Sequence, residues 1–397
     1  MTEPSSLAQR MNICSSFRKP RSGYPESSPH LDPAWVPVRG SCGPLPGTTR
    51  REFGNSARLN NFSVLVLMAG VLLSGCSPQQ AAPEPVVFDG LTMGTTYTVK
   101  ITPPLPRDRT QLAAGIAAVL DAVDGRMSTY KPDSELSRLN ANPAQDWLPI
   151  SQPMADILGV ALDISRLTEG AFDITVGPLV NLWGFGPGDR PRQVPDDAAL
   201  AEARQRVGYK YIQLDAHTPA VRKQAAGLYL DLSSIAQGFG SDAVGVYLSA
   251  QGVKNFMVDV SGEILARGVN GAGQPWRIGV ERPVAQEQGI ERVVALRDVA
   301  MATSGDYRNY FQQDGVRYSH LIDPATGRPI NHRLASVSVL ASTATQADAL
   351  ATALMILGPE RGYELAMSGK MPALFIMRTD SGFEERWTRF LEPYLAK

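Results

Sequence analysis

ATSGDYRNYFQQDGVRYSHLIDPATGRPI, residues 302–330, holds a histidine, His320, at the point where a short apolar strand runs into a turn. Three residues make that turn. The Asp323 side chain can bond the backbone ahead of it, Pro324 fixes φ and Gly327 permits φ > 0. A side chain at such a strand end is held by rigid neighbours while it faces solvent. Strand, tight turn and strand recur on both sides of the stretch, so the sequence predicts an α+β fold of largely antiparallel sheets with packed helices.

A helical run, ADALATALMIL (residues 347–357), follows. Asp348 and Thr352 are four residues apart, one turn along a single face, while Ala349, Leu350, Ala353, Leu354 and Ile356 are placed to pack elsewhere. Two oxygen donors can therefore point at one cation, and carboxylate with hydroxyl suits Mg²⁺ rather than zinc. On spacing alone, a solvated acid and a packing threonine are the commoner reading of such a pair.

Chain length, 397 residues, allows one large domain or two ordinary ones, with apolar residues enough for a substantial core. Net charge is −1 and no basic run tracks a phosphate backbone, which argues against nucleic acid as a partner. Residues 1–57 are rich in Pro, Ser, Gly and Arg without apolar periodicity, and read as a disordered extension outside the mature protein. Residues 58–76 read as a secretory signal: a basic flank at Arg58, the apolar run FSVLVLMAGVLL (62–73), then Ser74-Gly75-Cys76. The apolar run is short for a membrane span, although an uncleaved anchor is the alternative. The ending LSGC resembles the bacterial lipobox, which implies cleavage before Cys76 and lipid on its sulfur. Cys14 and Cys42 lie upstream, so the exported part keeps no pair for a disulfide. Residues 77–85 read as a tether, and the folded domain is expected over 86–397.

Along that domain the pattern predicts strands at Val86 to Asp89 and Thr96 to Ile101, and helices at Arg109 to Met127, Asp133 to Leu139 and Gln152 to Thr168. Gly177 to Gly188 reads as an aromatic loop. A helix over Asp196 to Val207 and strands at Tyr211 to Asp215 and Gly227 to Leu232 come next; the last delivers Asp231 to a helix over Ile235 to Ala250. The start of such a helix is a natural phosphate seat. Strands then dominate, interrupted by the helices Thr345 to Leu357 and Glu360 to Met367. There is no G-x-G-x-x-G, Walker A, G-x-S-x-G or H-E-x-x-H, and only His217 and His332 accompany His320 after the signal. A zinc site or a Ser-His-Asp triad is not expected.

Seven pieces then fall in a telling order: Thr92-Met93-Gly94-Thr95, Ser128-Thr129-Tyr130, Gly170-Ala171-Phe172-Asp173, Asp231-Leu232-Ser233-Ser234-Ile235-Ala236-Gln237-Gly238, Ala302 to Tyr307, His320 to Gly327 and Ala347 to Thr352. In that order they resemble the ApbE family, the FAD:protein FMN transferases, from about Val86 to the C-terminus. The resemblance implies transfer of FMN from FAD, through a phosphoester, to a Thr or Ser hydroxyl of an exported redox protein bearing an S/T-G-A-T-like segment, with AMP released. It implies Mg²⁺ on Asp348, Thr352 and the Ser234 carbonyl, His320 as general base, and FAD held by Met93, Tyr130, Ala171, Phe172, Asp173, Asp231, Gln237 and Ile322. Gln237 stands where the family carries Lys, and Ser261-Gly262 where a glycine pair is commoner. With the lipobox, the resemblance places the enzyme on the periplasmic side of a bacterial membrane, anchored by lipid on Cys76. Two alternatives use the same residues: an FAD pyrophosphatase giving FMN and AMP, and a lipid-tethered FAD-binding protein without turnover.

Overall fold

The structure, a computed structural model, describes residues 83–188, 190–284 and 289–396. The expected extension, the signal with Cys76 and most of the tether lie outside the described residues.

The fold opens with a hairpin, β1 (Val86–Thr92) and β2 (Thr95–Ile101), in register from Val86↔Ile101 to Thr92↔Thr95. Met93 and Gly94 between them both have positive φ, 47° and 73°. That is the two-residue geometry whose twist matches the flanking strands. Then come α1 (Arg109–Met127), α2 (Glu135–Ala141), the two-residue β3 (Leu148–Pro149) and α3 (Gln152–Leu167). The ends of α1 and α3 are marked by side-chain caps: Asp108 accepts from Thr110 and Gln111 N–H, and Ser151 from Met154 N–H. α4 (Gly177–Leu182), α5 (Asp197–Arg204), β4 (Ile212–Leu214), β5 (Ala220–Lys223) and α6 (Ala236–Ala250) complete the first half.

The second half is mostly strand. It runs through β6 (Phe256–Val260), β7 (Glu263–Arg267), β8 (Trp276–Glu281), β9 (Ile290–Leu296), β10 (Val299–Gly305), β11 (Tyr310–Gln313) and β12 (Val316–Ser319). β13 (Ile322–Asp323), β14 (Arg328–Pro329), β15 (Leu334–Ala341), α7 (Ala344–Ser368), β16 (Ala373–Thr379) and β17 (Gly382–Trp387) finish it. Gly358, at φ 82°, and Pro359 break α7 near its middle, so the two expected helices run on with a kink between them.

Eight strands make one sheet in the order β1-β2-β6-β7-β10-β15-β16-β17, each pair antiparallel, and the fold is α+β. α1 and α6 cover one face through Leu112, Ile116 and Val244, packed with Val99, Ile101 and Val258 of the sheet. α7 extends that layer over β10 and β15, where Leu354 and Ala353 cluster with Val337 and Phe375. The β8–β9 hairpin covers part of the opposite face, burying Trp276, Ile278, Val280 and Val294 with Met257, Ile264 and Met301. β15 is sandwiched, which is why LASVSVL is buried at every position instead of at alternate ones.

Two elements differ from expectation. Gly177 to Leu182 is a short helix, because Pro178 stands in its first turn, where its missing N–H costs nothing. Gly227 to Leu232 is not a strand. Its backbone is held singly, Leu230 by both ends of the Asn140 amide (2.7 and 2.8 Å) and Asp231 N–H by the Ile174 carbonyl (2.8 Å).

One irregularity of the sheet makes the site. β7 and β10 pair only over Ile264–Ala266 and Val299–Met301, while β10 runs on with β15 as far as Gly305. Beyond Met301 the sheet is split, and a cavity opens there.

Candidate active site

The cavity measures about 980 Å³. Tyr130, Ala171, Phe172, Asp173, Asp231, Ser234, Gln237, His320, Ile322, Asp348 and Thr352 all line it, though they come from five separate stretches of chain. Met93 does not. Its methyl group lies where a Cβ on Gly240 would touch it at 3.0 Å, wedged toward the α1–α6 core, and Gly94 and Thr95 reach the cavity instead. The tight turn that exposes the glycine turns the methionine inward, so the structure gives Met93 a packing role.

His320 follows β12 directly. Its backbone N–H and its Nδ1 both lie 3.0 Å from the Asn309 carbonyl. A carbonyl only accepts, so in the neutral ring Nδ1 carries the hydrogen and Nε2 keeps its lone pair. Burial pushes the imidazole below its ordinary pKa, partly offset by the Asn309 bond and the Asp306 charge. The ring is therefore a neutral base at pH 7. It is walled by Phe185, edge-on at 6.4 Å, and that aromatic loop is tied down by Trp183 Nε1–H donating to the Gly327 carbonyl at 2.8 Å. Asp306 forks onto the Arg378 guanidinium and so pins the loop before β11 to β16.

Asp348 and Thr352 sit on the inner face of α7, each 7% exposed. Asp348 Oδ2 accepts from Gly238 N–H at 3.0 Å, leaving the other oxygen to the cavity. Burial first, and the Asp242 carboxylate after it, push the Asp348 carboxyl up to about 7. A second acid escapes a reading of strand periodicity: Glu263, at the head of β7, is buried in the cavity wall, and its Oε2 has no hydrogen-bond partner. Burial, then the charges of Asp348 and Asp259, raise its carboxyl well above the usual range. Asp348, Asp259 and Glu263 crowd this wall, and Arg308 and Lys100, which also line the cavity, offset their charge only in part.

Gly238 explains how α6 and α7 approach so closely. A Cβ there would stand 2.3 Å from the Ala344 carbonyl oxygen and 2.9 Å from Asp348 Cβ. Gly238→Ala is expected to destabilise the fold by about 1–3 kcal/mol through overpacking and to shift Asp348. A thermal melt indistinguishable from that of the unchanged protein would refute this.

The remaining residues divide by what their atoms already do. Asp173 is spent internally, accepting from Thr175 N–H and Oγ1–H and from Tyr209 N–H, so it shapes the loop and has little to offer a ligand. Asp231 uses Oδ1 on Ser233 and keeps Oδ2 for the cavity. Tyr130 stands at the rim with its hydroxyl on the Phe185 carbonyl at 3.2 Å, one ring face open. At the start of α6 the Ala236 N–H is taken by the Leu232 carbonyl and the Gly238 N–H by Asp348, which leaves the Gln237 N–H beside Ser233 and Ser234 in the cavity wall.

A chamber with a buried carboxylate one turn from a hydroxyl could hold a hard cation against a ligand's negative charge, while the neutral imidazole across it takes a proton from the reaction partner. That is the work of a phosphoryl or nucleotidyl transferase. Known proteins narrow the class: the sequence model of the ApbE family matches residues 93–375, and the chain belongs to that family. The FAD:protein FMN transferase of Vibrio cholerae is 45% identical over 335 residues, 84% of this chain and 99% of the relative. That of Escherichia coli K12 is 39% identical over 328 residues, 81% and 93% of the two chains. The solved flavin transferase ApbE from Vibrio cholerae matches with a TM-score of 0.73 at 45% identity, over 79% of this chain and 99% of its own.

Proposed function

We propose that this protein splits FAD at its pyrophosphate and attaches the FMN half to a Ser or Thr hydroxyl of an exported redox protein, releasing AMP. One observation carries the mechanism: a single cavity, large enough for a dinucleotide, holds the lone pair of His320 together with the Asp348–Thr352 oxygens. The acceptor oxygen bonds to the phosphorus of the FMN half as that phosphorus releases the bridging oxygen. The acceptor's proton passes to His320 Nε2, and AMP leaves with the bridging oxygen.

Asp348, Thr352 and the Ser234 carbonyl form a hard-oxygen set that would hold Mg²⁺, which when bound draws charge from both phosphates. At the start of α6 the Gln237 N–H is the backbone donor left for the same phosphates. Gln237 adds a hydrogen bond there but no charge, so neutralisation falls to the cation. Tyr130 offers an aromatic face to the flavin or adenine, Asp231 accepts from a sugar or ribityl hydroxyl, and Ile322 walls the pocket beside His320.

The test uses FAD, Mg²⁺ and a redox subunit with an S/T-G-A-T-like segment, read by in-gel flavin fluorescence. Fluorescent subunit is the expected result. AMP without labelled protein would replace the reading with a hydrolase, and bound flavin without either product with a carrier. The lipobox-like ending at Cys76 supports a lipid anchor on the periplasmic side of a bacterial membrane. Cys76→Ala is accordingly expected to move the protein from the membrane to the soluble fraction; unchanged fractionation would count against the anchor.

A further inference from the structure

An acceptor must bring its hydroxyl to His320, and one wall of the cavity is shaped for a polypeptide. β8 pairs with β9 and with no other described strand. Trp276, Ile278 and Val280 are buried on the main sheet, while Arg277, Gly279 and Glu281 are exposed. All five residues from Arg277 to Glu281 nevertheless line the cavity. Successive side chains of a strand point to opposite faces, so an unbroken run lines a space only when it meets that space edge-on.

The phase of the ladder shows which backbone groups that edge presents. Ala396 N–H bonds the Val293 carbonyl at 3.1 Å, so Val293 directs its carbonyl away from β8. Its partner is Gly279, which makes the two a non-hydrogen-bonded pair and turns the Gly279 N–H and C=O toward the cavity. Alternation turns Arg277 the same way. On the far side of the bulge, Arg282 N–H bonds the Gly289 carbonyl at 2.8 Å, which turns Glu281 outward as well. Among the described residues none bonds to these outward groups. Thr96, Thr98 and Lys100 of β2 with Met257 and Asp259 of β6 line the same space and make its floor.

Exposed strand edges invite pairing, and proteins ordinarily cover them. Here the open edge lies in the wall of the chamber that contains His320. We propose that the flavin-accepting protein docks by adding an extended segment to the free edge of β8, its Ser or Thr carried along the β2–β6 floor toward His320. Main-chain bonds to Arg277, Gly279 and Glu281 then give affinity with little regard to the acceptor's sequence. Glu281 is ion-paired with Arg308, which leaves Arg277 with Lys100 and Asp259 below, a mixed set of charges that favours a polar segment of low net charge. The proposal rests on the transferase reading.

Two measurements test it with the redox subunit described above. In the unchanged protein, hydrogen exchange at Arg277, Gly279 and Glu281 should slow when the subunit is added and stay unaltered with FAD alone. Gly279→Pro removes an outward N–H, since the ladder donors are its neighbours, and proline is tolerated at such an edge; any Cβ there meets the exposed Ile290 side chain at 3.0 Å, a contact that Gly279→Ala shares and so controls for. It should raise KM for the subunit about fivefold, the order of one lost hydrogen bond, with FAD binding intact, and Gly279→Ala, which keeps the N–H, should raise it less. Flavinylation with no added protection, with protection by FAD alone, or with an unchanged KM in the proline variant overturns the docking and leaves the transferase reading standing. Absence of flavinylation by the unchanged protein overturns both, and if the proline variant fails to fold, the exchange measurement decides alone.

Discussion

Asp348→Asn should abolish cation-dependent FMN transfer while leaving the protein folded. The asparagine carbonyl can still accept from Gly238 N–H, so the α6–α7 contact survives. What it loses is an anionic donor in the cavity, and its amide nitrogen would point a donor where a cation needs an acceptor. A bound metal ion supplies several kcal/mol of charge stabilisation, so turnover should fall on the order of 10³-fold. Stability should move the other way. Removing one charge from the wall shared with Glu263 and Asp242 relieves repulsion, so without divalent cation the variant should melt at or above the unchanged protein. Added Mg²⁺ should raise the melting temperature of the unchanged protein alone. Because the Asp348 carboxyl is pushed up to about 7, a proton competes with the cation, and Mg²⁺ affinity should fall as pH drops through that value. Full activity in the variant, or equal stabilisation of both proteins by Mg²⁺, would remove the cation from the mechanism.

Local chemistry made much of this architecture legible. α1 was readable to the residue because an aspartate cap, a 3.6-residue apolar stripe and the extended Ser128 all mark its ends. The second-half strands were readable from alternation and short turns. Failures came where the answer is non-local. Gly227 to Leu232 alternates like a strand but finds no neighbour to pair with, and periodicity cannot report a missing neighbour. Gly177 to Gly188 reads as a loop from its glycines and prolines, yet Pro178 opens a helix. At the site, the residues on α7 and around His320 were legible because spacing puts them on one face or beside one turn. Asp173 and Met93 were not, since only the fold shows the carboxylate already spent on Thr175 and Tyr209 and the methionine turned toward Gly240. Glu263 and the β8 edge share a further reason: their importance is a partner they lack, and a sequence lists only residues that are present.

His320→Gln should lower kcat by about 10²–10⁴-fold, the usual worth of a positioned general base, and leave FAD affinity within about twofold, since a base that acts on the acceptor hydroxyl contributes to the transition state more than to ground-state binding. Glutamine can keep a bond to the Asn309 carbonyl through its amide, so the loop between β12 and β13 stays anchored and the loss is chemical. The pH profile separates this from a structural effect. A base works when unprotonated, and burial holds the folded imidazole below its ordinary 6.5, so at Mg²⁺ concentrations that saturate throughout, activity should be flat through neutrality and fall only on the acid side of that value. The acid limb should vanish in the glutamine variant. If instead FAD binding collapses with kcat, or the limb persists unchanged, the proton goes elsewhere and the histidine is holding the turn. Glu263, whose buried carboxyl in the same cavity is raised well above its usual range, is then the next candidate, and Glu263→Gln is the variant that tests it.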